Sequence, residues 1–152
     1  MKLYLLETRL YTRLSQKRLV GLVAGRSGLY HADPLFAQFG ILKVGDLYRQ
    51  QLRVHAWRFW NGQLPESQAA MLRRAGDVHG HATRAARSGL FLSTRDSRSV
   101  GYRIPKEWAL LSEAHRGAAS LAAFKRVSQA SFLGEYGMFV CGNVGCVVCG
   151  GL

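Results

Sequence analysis

The sequence predicts a mainly α-helical fold, a small domain of about five helices with a short β-hairpin near residues 90–104 and an irregular, cysteine-bearing tail. Three observations predict it. Apolar residues recur every three or four positions in several long segments, which is the spacing of one helix face. Glycines, prolines and an Asn-Gly pair separate those segments. The 152 residues are 48% hydrophobic, which is enough apolar material for a core.

The first predicted helix covers residues 3–24 and carries a basic stripe. Leucines at steps of three and four form one face: Leu3, Leu6, Leu10 and Leu14. Basic residues at steps of four form a neighbouring face: Arg9, Arg13 and Lys17. Gly25 is expected to end the helix. The stripe indicates either a surface that follows a phosphate backbone or an ordinary solvated face.

Two further helices are predicted in the first half of the chain. A short one covers residues 33–39, because Asp33 suits the N-cap and Pro34 suits the first helical position. A long one covers residues 44–60, where four side chains share a face: Tyr48, Leu52, Ala56 and Phe59. Most of the aromatic rings in this segment are expected to lie in the core.

Shorter elements are predicted in the second half. A helix over residues 65–74 precedes a polar loop over 76–89. The segments 90–92 and 99–104 are short enough to pair as the β-hairpin. Two helices follow, a short one that starts at Pro105 and a last one over residues 121–133.

The end of the chain holds all three cysteines: Cys141, Cys146 and Cys149. We therefore expect a helical domain over residues 1–136 and a tail rich in glycine and cysteine over 137–152. The Cys-x4-Cys-x2-Cys spacing can supply three thiolates to one structural Zn²⁺, which takes four ligands. His79 and His81 are candidates for the fourth, and the alternative of free thiols in a frayed tail stays open.

The cysteine pattern also bears on location. An odd number of cysteines at one end is not the framework of a secreted disulfide protein. Basic residues interrupt any signal peptide in the first twenty residues, and the longest apolar stretch, residues 19–25, is far shorter than the ~20 residues of a membrane span. The sequence predicts an intracellular protein, nuclear or cytoplasmic, with no membrane partner.

Positive charge dominates the composition. Lysine and arginine number 21 against 9 acids, which gives a formal net charge of +12. Such an excess favours a polyanionic partner, although coding bias toward arginine is an alternative. Ten bases and three acids fall in the first sixty residues. The candidate residues for nucleic-acid binding are Arg9, Arg13, Lys17, Arg18, Arg26, Arg49, Arg53, Arg84 and Arg87.

The motifs of common enzyme classes are missing from the sequence. It has no DxD or ExxE pair of acids, no GxSxG, no phosphate-binding P-loop and no GxGxxG. Two-metal polymerase chemistry needs a close pair of carboxylates. We therefore expect no catalytic residues in this chain.

Several short motifs occur in the order of a known family. They are Gln16-Lys17-Arg18, Tyr30-His31-Ala32-Asp33-Pro34-Leu35-Phe36, Ile41-Leu42-Lys43-Val44-Gly45-Asp46-Leu47-Tyr48, Leu64-Pro65, His79-Gly80-His81-Ala82-Thr83-Arg84, Pro105-Lys106-Glu107-Trp108 and Ser120-Leu121-x-x-Phe124-Lys125. Together they resemble the region after the palm in reverse transcriptases of non-LTR retrotransposons, over residues 15–136. The pattern departs from the family at Gly21, Ala32, Ala109, Ser112 and Ser128.

The resemblance implies a thumb and post-thumb region that grips the backbone of a primer–template duplex. It implies binding of RNA or an RNA–DNA duplex without polymerase activity, because the palm of that RNA-directed DNA polymerase is absent. Two alternatives stay open: a zinc-stapled protein-interaction module with a merely solvated basic face, and a non-functional remnant of the retroelement. The sequence leaves the oligomeric state undetermined.

Overall fold

The computed structural model describes residues 2–26, 30–78, 89–92, 97 and 99–137, with side chains from Tyr11 onward. Within these ranges it is mainly helical, as predicted, and contains no β-strand. The eight helices there are α1 Lys2–Val23, α2 Ala32–Gln38, α3 Val44–Trp60, α4 Glu66–Ala69, α5 Ala75–Val78, α6 Val100–Ala109, α7 Glu113–Arg116 and α8 Leu121–Gly137.

The predicted β-hairpin near residues 90–104 is wrong. Residues 100–104 form the first half of α6, because the Ser99 hydroxyl accepts a hydrogen bond from the backbone N–H of Tyr102 and so caps the helix. Pro105 consequently lies inside α6 and does not begin it. The helix predicted over residues 65–74 is shorter, Glu66–Ala69, and Arg74 forms an isolated antiparallel bridge with Leu90.

The chain divides into two compact units. The first unit comprises residues 1–47 and 129–152, and the second comprises residues 48–128. Each unit has its own apolar cluster of buried residues. The expectation of one helical domain over residues 1–136 is not decided by this division and stays a prediction.

The core of the first unit is built by α1, α2, the segment before α3 and the end of α8. Its buried residues are Val20, Ala32, Leu35, Phe36, Leu42, Phe132 and Tyr136. Leu14, which the leucine periodicity places on an inward face, has 49% of its surface exposed. The inward face of the described part of α1 instead follows Gln16 and Val20.

A close contact packs α1 against Tyr30 within this unit. The Tyr30 hydroxyl donates a hydrogen bond to the carbonyl oxygen of Lys17 (3.0 Å). A Cβ atom at Gly21 would stand 1.9 Å from the Tyr30 hydroxyl oxygen, so the ring occupies the space that any side chain at position 21 would need. Glycine in mid-helix ordinarily costs about 1 kcal/mol relative to alanine. Here it permits the approach of the ring.

The core of the second unit is aromatic. The rings of Trp57 and Phe124 lie 5.9 Å apart, and those of Trp60 and Trp108 lie 5.6 Å apart. Offset or edge-on ring pairs at such separations stabilise a core beyond the area they bury. Three of the four rings of residues 44–60 pack in or against this core, as predicted: Trp57 is buried, Phe59 and Trp60 are partly buried, and Tyr48 is exposed.

Gly21→Ala should destabilise the protein by about 1–3 kcal/mol, because the new methyl group overlaps Tyr30. In a Tyr30→Ala background the same substitution should be neutral or stabilising by up to about 1 kcal/mol, since only helix propensity then changes. Urea denaturation of the four chains measures both effects. Equal effects of Gly21→Ala in the two backgrounds would show that the ring contact does not constrain position 21.

Ser128→Ala should raise the free energy of unfolding by about 1 kcal/mol. The Ser128 side chain is fully buried, and its hydroxyl has no hydrogen-bond partner among the described residues, so removing it relieves an unmet desolvation cost. Ser120→Ala is the matched control with the opposite sign. That hydroxyl caps α8 through the N–H of Ala123, and its loss should cost about 1 kcal/mol. A loss of stability in Ser128→Ala would contradict this interpretation.

Candidate nucleic-acid interface

A basic cleft opens on the first unit beside α1. We call it the Arg13 cleft; it has a volume of about 240 Å³ and is lined by Arg13, Gln16, Lys17, Asp33, Phe36 and Lys43 among others. Arg13 and Lys17 lie one helical turn apart on α1 and are exposed. Among the described lining residues, three cations and one carboxylate give an excess of two positive charges.

Gln16 connects α1 to the segment that begins α3. Its side-chain Nε2 donates to the carbonyl oxygen of Leu42 (2.8 Å), and its Oε1 accepts from the backbone N–H of Val44 (2.9 Å). Val44 is the first residue of α3, and the N–H groups of a first helical turn have no partner within the helix. Gln16 therefore satisfies one of them and holds the lining of the cleft on α1 to the start of α3.

Lys43 joins the cleft to α8. Its ammonium group forms an ion pair with Asp33 (2.7 Å) and lies 4.1 Å from the centre of the Tyr136 ring. The backbone N–H of Lys43 donates to the Tyr136 hydroxyl (3.2 Å), which in turn donates to the Asp46 carboxylate. The Tyr136 ring also packs edge-on against Phe36, with centroids 6.4 Å apart.

This environment keeps the Tyr136 phenol protonated. Burial raises the pKa of Tyr136 well above its ordinary value, and the hydrogen bond donated to Asp46 raises it further. The accepted hydrogen bond from Lys43 opposes the shift to a smaller extent. Tyr136 therefore acts as a neutral donor that holds the α3 N-terminus, where the Asp46 carboxylate is itself favoured by the helix dipole.

The remaining candidates of the basic stripe do not share this cleft. Arg18 and Arg26 are exposed, but neither lines it. Arg18 follows Lys17 directly, so it points about 100° away around the helix axis. Arg9 lies within α1, and its side chain is outside the described residues. The structure thus brings together Arg13 and Lys17 and separates Arg18 from them.

Arg49 and Arg53 have a structural role in the second unit. Their Nε atoms donate to the two oxygens of the Glu107 carboxylate at 2.9 and 3.0 Å. The Arg53 side chain is only 6% exposed. The prediction that Arg53 contacts a phosphate does not fit this buried position, whereas Arg49 keeps part of its surface exposed.

Other predicted sites fall outside the described residues. Arg84 and Arg87, and the zinc candidates Cys141, Cys146 and Cys149, are among them. Within the described ranges no cluster of three histidine, cysteine, aspartate or glutamate residues is arranged to hold a metal ion. No helix of those ranges has the length and hydrophobicity needed to cross a membrane.

Comparison with known proteins adds no assignment. No protein-family model, curated protein or solved structure matches this chain. The resemblance to the reverse transcriptase region therefore stays a prediction from the motifs.

The sequence patterns do not predict the contacts that join three residues at and behind the Arg13 cleft. Lys43, Asp33 and Tyr136 meet across more than ninety positions of chain, a separation that no periodicity reports. The sequence shows only that Lys43 is a charged residue directly before the helix predicted over residues 44–60. That position does not identify Tyr136 of α8 as its partner.

Tyr136→Phe should lower the free energy of unfolding by about 1.5–3 kcal/mol near neutral pH, because the Asp46 carboxylate loses a donor and the N–H of Lys43 loses an acceptor. Guanidinium denaturation measures the loss. Tyr11→Phe removes the hydroxyl of an exposed tyrosine and should change little, which makes it the matched control.

The pH dependence of the free energy of unfolding provides a second test, in which the wild-type chain is compared with Tyr136→Phe. Because the folded pKa of Tyr136 is raised, its stabilising effect is complete below the unfolded value of about 10 and declines as the pH rises above it. Above that pH the wild-type chain should lose stability faster than Tyr136→Phe. Parallel pH profiles for the two chains would contradict the assignment.

Proposed function

We propose that the chain binds nucleic acid through the phosphate backbone, without catalysing a reaction. The observation that carries this proposal is the Arg13 cleft, where Arg13 and Lys17 are exposed on one face of α1 beside the Lys43–Asp33 ion pair. The overall charge of +12 supports it, since electrostatic attraction supplies most of sequence-independent affinity.

The spacing on α1 suits a backbone contact. Four residues of α-helix rise about 6 Å, and successive phosphates of one strand advance about 3.4 Å along a duplex axis. Arg13 and Lys17 can therefore contact different phosphates of the same strand. Asp33 would repel a phosphate, but its ion pair with Lys43 offsets that charge.

The chemistry of the cleft favours binding that tolerates any sequence. Contacts from arginine and lysine to phosphates position a protein on a duplex and carry no base information. The motif resemblance agrees with this mode, because it implies a thumb-like region from a retrotransposon reverse transcriptase. We propose RNA or an RNA–DNA duplex as the partner, which implies a nuclear or cytoplasmic location.

Binding to a labelled RNA–DNA duplex at rising salt tests the proposal. Log affinity should fall linearly with log salt, because binding releases counterions from the phosphates. The double variant Arg13→Gln with Lys17→Gln should bind more weakly, and its slope should be smaller by about two, one for each lost phosphate contact.

The double variant Lys125→Gln with Arg126→Gln is the control. It removes the same charge from exposed positions of α8 in the second unit. Its slope should match that of the wild type. No binding at low salt, or equal losses in the two double variants, would overturn the proposal.

A further inference from the structure

A second cleft lies on the second unit, and it shares no lining residue with the Arg13 cleft. We call it the Tyr48 cleft; it has a volume of about 430 Å³, and its lining includes Tyr48, Arg49, Tyr102, Arg103, Lys106 and Glu107. Sites for small organic groups typically span about 300–1,000 Å³. The cleft is therefore large enough for more than an ion.

Two aromatic rings of this cleft each pair with a cation. The Arg103 guanidinium lies 5.8 Å from the centre of the Tyr48 ring and donates to its hydroxyl (3.2 Å). The Lys106 ammonium lies 5.9 Å from the centre of the Tyr102 ring. Tyr48 is 44% exposed, whereas Trp57 further along α3 is buried. Tyr48 is thus a large ring on the surface, held in place by a cation.

Among the described residues that line the cleft, Glu107 is the one carboxylate, and it is already neutralised. Both oxygens of Glu107 accept hydrogen bonds, one from Arg49 and one from Arg53. The cations Arg103 and Lys106 add positive charge beyond that balanced by Glu107. A ligand for this cleft should therefore combine a flat ring with a negative group.

We propose that the Tyr48 cleft receives an unpaired nucleobase of a single strand, stacked on the Tyr48 ring with its phosphate beside Arg103 and Lys106. The inference rests on the proposed function, because it names the form of nucleic acid that the second unit takes. Aromatic side chains stack on any base, and neighbouring cations follow the strand backbone. A duplex holds its bases stacked on one another, so this cleft prefers a single strand.

Three probes separate the ring contact from the phosphate contact: a labelled oligothymidylate of about eight nucleotides, an abasic oligomer of the same length, and a duplex of that length. The wild-type chain should bind oligothymidylate more tightly than the abasic oligomer. Tyr48→Ala should weaken oligothymidylate binding about tenfold, the loss expected for one stacked base. It should leave the abasic oligomer and the duplex unaffected.

Two variants serve as matched controls. Tyr48→Phe keeps the ring and should retain binding of oligothymidylate, although Arg103 loses the hydroxyl. Tyr11→Ala removes a ring of the same type, also exposed, from α1 of the first unit and should not affect binding. Circular dichroism with thermal melting checks that Tyr48→Ala remains folded, as expected for a surface position.

The outcomes distinguish the two proposals. Three results would overturn the stacking site. The first is that Tyr48→Ala weakens binding of the abasic oligomer as much as that of oligothymidylate, and the second is that it weakens neither. The third is a wild-type chain that binds the abasic oligomer and oligothymidylate with equal affinity. A wild-type chain that binds oligothymidylate but does not bind the duplex would overturn the backbone surface and leave the stacking site standing.

Discussion

The packing of the first unit depends on the two hydrogen bonds of the Tyr136 hydroxyl. The hydroxyl accepts from the backbone N–H of Lys43 and donates to Asp46, and so attaches α8 to the start of α3. Lys43 then lies over the same ring and pairs with Asp33 of α2. Because the hydroxyl holds the backbone of Lys43, it also supports one residue that lines the Arg13 cleft. Burial keeps the phenol neutral, which lets it donate and accept at once.

Charged residues of the same type serve two different purposes in this chain. Arg53 is buried and satisfies an oxygen of Glu107, whereas Arg13 and Lys17 stay exposed beside a cleft. A buried carboxylate without such partners would be costly, so Arg49 and Arg53 stabilise the fold of the second unit before any ligand arrives. The net charge of the chain therefore overstates how many of its cations are available to bind a polyanion.

The sequence predicted the elements with strong local signals. Periodicity and caps located the long helices α1, α3 and α8 to within a few residues, with α8 extending to Gly137, and the aromatic core of α3 was anticipated. The predicted hairpin is wrong. Residues 99–104 are short enough for a strand, but the Ser99 hydroxyl caps a helix there. The basic stripe on α1 predicts only part of the lining of the Arg13 cleft. The four-residue spacing predicts that Arg13 and Lys17 lie on one face of α1. Asp33 and Lys43, which line the same cleft, come to it by tertiary packing that the spacing does not report.

The first unit is discontinuous along the chain, whereas the second is one uninterrupted segment. Synthesis proceeds from the N-terminus, so α1 and α2 leave the ribosome long before residues 129–137 of α8 that complete their core. At about 5–20 residues per second, the intervening segment of residues 48–128 delays that completion by about 4–16 s. The second unit has all of its own residues by then. The nascent chain consequently passes through a stage in which α1, α2 and every residue that lines the Arg13 cleft are made, but Phe132 and Tyr136, which complete the core behind them, are not.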